Sequence, residues 1–237
     1  MENNSPKKDT DSFIVAGCKS WNKDIFKRKM AKHGGEWYYI SKPGELTKDK
    51  IRKINPRYIF FLHWSWIVPP EIYKNFECVV FHMTDLPFGR GGSPLQNLIV
   101  RGIYNTKISA IRMVGEVDAG PVYLKRPFSV RHGSAQELYK NASEIASGII
   151  DYIIHHNPKA RPQGGKTVVF KRRKPKESLV PARLTSKKLY DFIRMLDAEG
   201  YPRAFIDYDG YRLEFRNAYL NKNSVEADVS IKKYGKK

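Results

Sequence analysis

The sequence predicts an α/β fold: a mostly parallel sheet covered by helices, followed by a small C-terminal α+β appendage with antiparallel strands. Three observations predict it. Continuous apolar runs that stop at turns, F-I-V-A-G at Phe13–Gly17 and Y-I-F-F-L at Tyr58–Leu62, read as strands buried on both faces. Segments with helical spacing separate these runs, so strand and helix alternate. Beyond Gly165 the pattern changes to short alternating strands around a Y-D-G turn. The expected organisation is a disordered tail over residues 1–12, an α/β domain over 13–160 and a small C-terminal region over 161–237.

Bulk properties narrow the class. The chain has 237 residues, 41% hydrophobic and 13% aromatic, which suits a globular protein with a real core. No apolar run reaches the roughly 20 residues a membrane helix needs. The polar N-terminus lacks the apolar segment of a signal peptide, so a cytoplasmic protein with no membrane partner is expected. Two cysteines, Cys18 and Cys78, are expected as buried reduced thiols rather than a disulfide or metal framework. The net charge of +19 implies attraction to polyanions or to phosphorylated small molecules. It is spread along the chain, with one dense block, K-R-R-K at Lys171–Lys174.

Taken in order, Phe13–Gly17 is the first strand. Ser20 or Asn22 caps a helix bearing Ile25, Phe26 and Met30, and Gly34-Gly35 ends it. Trp37–Ile40 is the second strand. Thr47 caps a short basic helix that stops at Asn55-Pro56. Tyr58–Leu62, the third strand, runs into His63-Trp64-Ser65-Trp66-Ile67-Val68-Pro69-Pro70. A stiff aromatic loop at a strand end is a suitable wall for a flat heterocycle. Pro70 opens a short helix that leads to the fourth strand, Cys78–Phe81. His82 follows it, then a Pro/Gly-rich loop, then a helix with Pro94 at its first position. Lys107–Val114 alternates and predicts a strand exposed on one face. Gly120–Lys125 and Phe128–Val130 form another. Ser134 caps the longest helix, to about residue 155, with Leu138, Ala142, Ile145, Ala146, Ile149 and Ile153 as its apolar stripe. After the polar segment 157–165 come a strand at Thr167–Phe170, a helix capped by Thr185, a hairpin at Ala204–Asp207 and Tyr211–Phe215, and a last strand at Val225–Ile231.

The chemistry concentrates between Val79 and Gly120. His82 and Asp118, the latter in V-G-E-V-D-A-G-P, each follow an apolar strand. Open α/β sheets place their chemistry at such ends. An Asp beside an imidazole fixes its tautomer and raises its basicity, so the His can move protons at neutral pH. No convincing nucleophile–base pair, metal-ligand spacing, G-x-G-x-x-G or phosphate-binding P-loop occurs. Direct attack between two bound substrates therefore fits better than a covalent enzyme intermediate, and no metal is expected.

His82-Met83-Thr84-Asp85-Leu86-Pro87 followed by Gly91-Gly92-Ser93-Pro94 resembles the H-P-S-L-L-P…R-G-x-x-P segment of the folate-dependent formyltransferases. Glu116–Pro121 resembles that family's second motif, and Ile67-Val68-Pro69 its I-L-P. Arg172-Arg173-x-Pro175-x-x-Ser178 and Ile193-Arg194 resemble segments of its sugar-modifying members. The likeness covers about residues 13–200. It implies a Rossmann-like formyltransferase domain using 10-formyltetrahydrofolate as co-substrate. An amine attacks the formyl carbon and a tetrahedral oxyanion forms. The resemblance implies His82 as proton handler and oxyanion partner, with Asp118 supporting it. It implies folate contacts from Trp64, Trp66, Ile67, Val68, Val114, Glu116 and Val117, largely through backbone. Acceptor contacts are expected from Thr84, Asp85, Arg90, Gly91, Gly92, Arg172 and Arg173.

One departure is plain. The family's Asn, an oxyanion donor two residues before the His, is Val80 here. Losing such a donor costs about 2.7–4 kcal/mol. His63 is the candidate substitute, with Asn97 the other possibility. The short C-terminal remainder suggests a nucleotide-linked amino sugar as acceptor, as in nonulosonic (pseudaminic-type) acid pathways. Nucleic acid is not expected despite the charge, and the C-terminal hairpin could form a homodimer. A formyltransferase acting on an aminoacyl-tRNA or peptide amine, a formyltetrahydrofolate hydrolase, and a degenerate binding protein remain alternatives. If His63 supplies the missing donor, His63→Ala will lower turnover far more than it raises the Michaelis constant for the folate. Steady-state kinetics check this, and near-normal turnover sinks the idea.

Overall fold

A computed structural model describes residues 10–233. Strand β1 (Ser12–Gly17) leads to helix α1 (Ser20–Arg28), then β2 (Glu36–Ile40), α2 (Lys48–Ile54), β3 (Tyr58–Leu62), α3 (Pro70–Tyr73) and β4 (Cys78–His82). There follow β5 (Phe88–Gly91), α4 (Pro94–Val100), β6 (Asn105–Arg112), β7 (Val122–Ser129) and the long α5 (Ala135–His156). The chain closes with β8 (Val168–Phe170), α6 (Ser186–Arg194), β9 (Ala204–Tyr208), β10 (Tyr211–Leu220) and β11 (Val225–Lys233). The main sheet has the order β2-β1-β3-β4-β6-β7, and a second sheet has the order β11-β10-β9. This is the expected α/β class. The tail expected over residues 1–12 lies largely outside the described residues. Within them, Ser12 already opens β1 and Asp11 is paired with Arg57 at 2.7 Å.

The chain folds into two compact units. Unit 1 holds residues 10–81 of those described, 110–124 and 143–163; unit 2 holds 82–109, 125–142 and 164–233. In unit 1, β1 pairs in parallel with both β2 and β3, and β3 with β4 in the register Phe61↔Val80. Every residue of β3 is buried, as a strand covered on both faces requires. Ile14, Ile40, Ile51, Ile59, Phe61 and Ile72 are fully buried in one cluster. Local chemistry sets the boundaries. The Thr47 hydroxyl accepts the Lys50 amide hydrogen at the start of α2, and Asn55 ends that helix in the left-handed region. The Asn22 amide donates to the Ser143 hydroxyl at 3.2 Å, tying α1 to α5 within the unit.

Two expectations about strands fail for physical reasons. Strand β6 is not exposed on one face: Ile108, Ser109, Ala110 and Ile111 are all buried, so both faces of its second half are covered, and it is an interior strand between β4 and β7. Phe88–Gly91, read as loop, is the short strand β5 paired in parallel with β8. Gly89 and Gly91 hold positive φ there, so the glycines that signalled a loop are what this close pairing demands. A Cβ on Gly91 would press on the Phe170 carbonyl oxygen.

Unit 2 contains a buried charge network that sequence patterning does not single out. Arg194, on α6, is fully buried. It donates to the Asp191 carboxylate at 2.7 Å and to the carbonyls of Gly133 (2.9 Å) and Val130 (3.0 Å). The Tyr104 hydroxyl donates to the other Asp191 oxygen at 2.6 Å. Every partner is satisfied, the condition under which a buried ion is tolerable. Arg194→Ala should therefore destabilise the protein by about 3–5 kcal/mol, the usual result of removing one partner of a buried pair. Urea denaturation measures this. A loss no larger than an exposed residue would give refutes the anchoring role.

Candidate functional site

The aromatic loop of unit 1 begins at the carboxyl end of β3. His63 leaves the strand in the left-handed region, φ 52°. Its carbonyl accepts the Cys18 thiol at 2.8 Å, and its ring meets Trp21 edge-on at 5.7 Å between centroids. Burial, and secondarily the charge of Lys19, pushes its pKa down to about 4. His63 is thus a neutral imidazole at pH 7, with one ring N–H able to donate. Val80, half-buried on β4 and packed against the core cluster, offers no side-chain donor.

Beyond His63 the loop is anchored at both ends and open in the middle. Trp64 stands edge-on to Phe61 at 5.9 Å and to Trp66 at 4.9 Å. Val68 is buried in the core, so only its backbone faces outward contacts. Trp66 is 44% exposed and Ile67 93%. The second expected folate segment also carries exposed apolar side chains, Val114 and Val117. Trp64 and Met113 rest on the same core cluster. The Trp64 indole N–H is buried with no hydrogen-bond partner among the described residues. Exposed apolar surface beside an orphaned donor suits a flat, polar-edged heterocycle.

Asp118 occupies a tightly held loop. The Arg112 amide donates to the Pro121 carbonyl at 2.9 Å, closing the loop's base, and Met113 N–H donates to the Cys78 carbonyl at 2.8 Å. Met113 therefore lies beside the start of β4. Asp118 has φ 55°, and Gly120 is obligatory, since a Cβ there would collide with the Arg112 carbonyl oxygen. Gln163, which sequence reading leaves in a polar boundary segment, holds the loop by hydrogen bonds of its side-chain amide.

Unit 2 holds His82 and the expected acceptor residues. His82 is buried, with Nε2 at 2.7 Å from the Gly89 carbonyl oxygen. A carbonyl only accepts, so Nε2 carries a hydrogen. Thr84 is fully buried, its hydroxyl donating to the Gly89 carbonyl at 3.4 Å. Asp85 is held by Lys125 at 2.6 Å and Lys107 at 2.9 Å. Burial raises its pKa, but the hydrogen bonds from the two lysines outweigh this and keep it below the usual carboxylate range. Arg90, Gly91 and Gly92 lie in or just after β5, with Gly92 packed on Arg172. Arg172 is exposed. Arg173 stacks its guanidinium over Phe192 at 5.7 Å, and its backbone N–H donates to the Ser93 hydroxyl at 3.1 Å. Asn97 gives its amide to the carbonyls of Gly92, Ser93 and Lys171 at 3.0–3.1 Å, so it braces this loop. Among the described residues no group of three or more His, Cys, Asp or Glu could hold a metal, and no helix is long and apolar enough to cross a membrane.

A cleft of about 490 Å³ in unit 1 lies at the opposite end of β3 from His63. Arg57, Tyr58, Glu77, Arg112, Tyr123 and residues 157–160 line it. The Glu77–Arg112 pair at 2.7 Å crosses it. None of the expected site residues lines it.

Known proteins share this architecture. The C-terminal domain family of methionyl-tRNA formyltransferase matches residues 175–232. A solved methionyl-tRNA formyltransferase from Clostridium thermocellum is 48% identical, with a TM-score of 0.89 over 94% of this chain and 99% of that one. The methionyl-tRNA formyltransferase of Rickettsia africae is 27% identical over 194 residues, 76% of this chain and 62% of its own length. That of Rickettsia felis is 30% identical over 115 residues, 46% of this chain and 38% of its own. The chain thus spans less than two thirds of these curated relatives. A 4-N formyltransferase from Francisella tularensis has a TM-score of 0.70 at 15% identity and shares the fold alone. The chain belongs to the formyltransferase family.

These relatives correct the expected acceptor. The short C-terminal region suggests a nucleotide-linked amino sugar, and with it the exclusion of nucleic acid. That same region is what the methionyl-tRNA formyltransferase C-terminal family matches, so its brevity does not argue for a sugar. The sugar reading is overturned.

The lowered His63 pKa carries a stability consequence. The folded state resists protonation that the unfolded chain accepts near pH 6.5. The neutral His63 contribution is therefore intact above pH 6.5 and is lost as pH falls from there towards 4. His63→Gln should show a loss between pH 7 and 4 smaller than the native protein's, by on the order of 2–3 kcal/mol. Urea titrations at several pH values check this, and parallel curves for the two proteins contradict it.

Proposed function

We propose that the protein is a 10-formyltetrahydrofolate-dependent formyltransferase whose acceptor is the amino group of an aminoacyl-tRNA, methionyl-tRNA in the first instance. The observation that carries this reading is the 48% identity to a methionyl-tRNA formyltransferase over nearly the whole of both chains. The charge of +19 supports it, because a tRNA is a polyanion and its counterions are released when lysine and arginine replace them.

The co-substrate, when bound, supplies a formyl carbon on nitrogen that is open to attack by an amine. The chain's residues then have three tasks. The exposed apolar side chains Trp66, Ile67, Val114 and Val117, with Glu116 and the loop backbones around Trp64 and Val68, hold the flat ring. His82 takes the proton from the attacking amine as the new C–N bond forms, and Asp118 assists the transfer. That proton passes to the departing folate nitrogen as its bond to carbon breaks, so charge and atoms balance. His63, neutral at pH 7, offers an N–H to the developing oxyanion where Val80 has none. Thr84 and Asp85 fix the segment that follows His82 through their hydrogen bonds. Arg90, Arg172 and Arg173, with the close-packed Gly91 and Gly92, form a basic approach for the acceptor's phosphates.

The test is formylation of methionyl-tRNA, followed by tetrahydrofolate release. Turnover should require the charged tRNA and fall steeply between 50 and 200 mM salt, by about 10³-fold or more in tRNA affinity if six or more phosphates are contacted. His82→Ala and Asp118→Asn should each reduce turnover at least about 100-fold. Formate release without an amine would point instead to hydrolysis, and no turnover with any aminoacyl-tRNA would overturn the proposal.

A further inference from the structure

The Gln163 side chain reaches across to the Asp118 loop and donates from one nitrogen to two carbonyls. Nε2 lies 2.8 Å from the Asp118 carbonyl oxygen and 2.8 Å from that of Gly120. Two acceptors can be served only by the amide nitrogen, so the orientation of this amide is fixed by chemistry. The neighbouring backbone joins the same loop: Val122 and Arg161 exchange two backbone hydrogen bonds, at 2.7 and 2.9 Å. The segment that carries Gln163 is itself held. Asn157 ends α5 in the left-handed region and its side-chain oxygen accepts the Tyr58 hydroxyl at 2.7 Å.

The loop needs such a clamp. Asp118 sits at φ 55°, a region an L-residue occupies only when its surroundings impose it, although Asp tolerates it better than most. Glu116 and Val117 are exposed, so their side chains bury little. Inside the loop the Ala119 amide makes a long bond, 3.4 Å, to the Glu116 carbonyl. The two carbonyls that Gln163 binds flank Ala119 and straddle the turn that sets the backbone at Asp118. A backbone rotation at 118 would break at least one of those bonds.

We propose that Gln163 is the positioning residue of Asp118: its two-carbonyl bridge holds residue 118 in the left-handed region and so fixes the direction of the Asp118 carboxylate. The kinetic part of this rests on the reading of Asp118 as catalytic; the conformational part does not. Neither alanine nor an ionised glutamate suits the position. Alanine has no donor, and an ionised glutamate faces two carbonyl oxygens with acceptors alone.

Four measurements on the full chain test it. Gln163→Ala should lower kcat with methionyl-tRNA about 10- to 100-fold, the range for misplacing a reacting group by an ångström or less. In Gln163→Glu, activity relative to the native enzyme should recover as pH falls, because a protonated carboxyl regains one donor. In an Asp118→Asn background, Gln163→Ala should cause no further loss, since a residue acting through Asp118 has nothing left to position. Native kcat in Gln163→Ala, or losses that multiply in the double variant, would overturn the proposal and leave a structural role only. If Asp118→Asn alone keeps native kcat, the catalytic reading of Asp118 fails. Hydrogen exchange then decides the clamp without any assay of activity: faster exchange over residues 115–121 in Gln163→Ala supports it, and unchanged exchange refutes it.

Discussion

The constraint on which unit 1 depends is the complete burial of β3. A strand with no polar face needs cover on both sides, which the parallel neighbours and their crossover segments supply. Once every side chain of Tyr58–Leu62 is committed to the core, chemistry can appear only where the strand stops. His63 marks that stop by turning into the left-handed region, and the Cys18 thiol, just past the end of the adjacent β1, donates to its carbonyl and holds it. Desolvation of the half-buried His63 ring at this strand end, with Lys19 nearby, also holds its pKa down to about 4.

Charge is handled differently in different places. Arg194 is buried with each guanidinium nitrogen hydrogen-bonded, and it fixes helix α6 to two backbone carbonyls. The pairs on the C-terminal sheet, Arg212–Asp207, Lys232–Glu214 and Arg216–Asp228, lie across strands at the surface and contribute little each. They balance that sheet locally. The protein's large positive excess therefore resides elsewhere, and the exposed Lys171, Arg172, Lys174 and Lys176 are part of it. A long-range field of that sign raises the encounter rate with any polyanion without specifying which one.

Much of the fold was legible because local and global signals agree. Thr47 and Thr185 were readable as caps, and each accepts the amide three residues on. Tyr58–Leu62 was readable as a buried strand because nothing in it is polar. Strand β6 misled because Lys107, Ser109 and Arg112 mimic a polar face, whereas Ser109 is buried with its hydroxyl on the Thr84 carbonyl at 2.7 Å. Strand β5 misled because its glycines serve a close backbone approach. In the candidate site, His82 and Asp118 were singled out through motif wording. Gln163 was not, because a bond from position 163 to position 118 leaves no periodic or spacing signal. The acceptor was misjudged for a related reason: the length of a domain says little about what it binds.

Val80 is where the site departs most from its family, and the structure limits how the gap can be filled. Asn97 already gives its amide to three backbone carbonyls, so recruiting it would unbrace the Gly92–Ser93 turn. Protonating His63 to make a stronger donor would require placing a charge where burial has already driven the pKa to about 4. A neutral imidazole N–H remains. Under the proposed function it would stabilise a developing oxyanion less than a cation would, but with no proton uptake at pH 7. Its direction is set by a backbone conformation that β3 and the Cys18 thiol together hold. In the proposed mechanism, a donor of moderate strength at the end of β3 is the form of oxyanion stabilisation asked of this core.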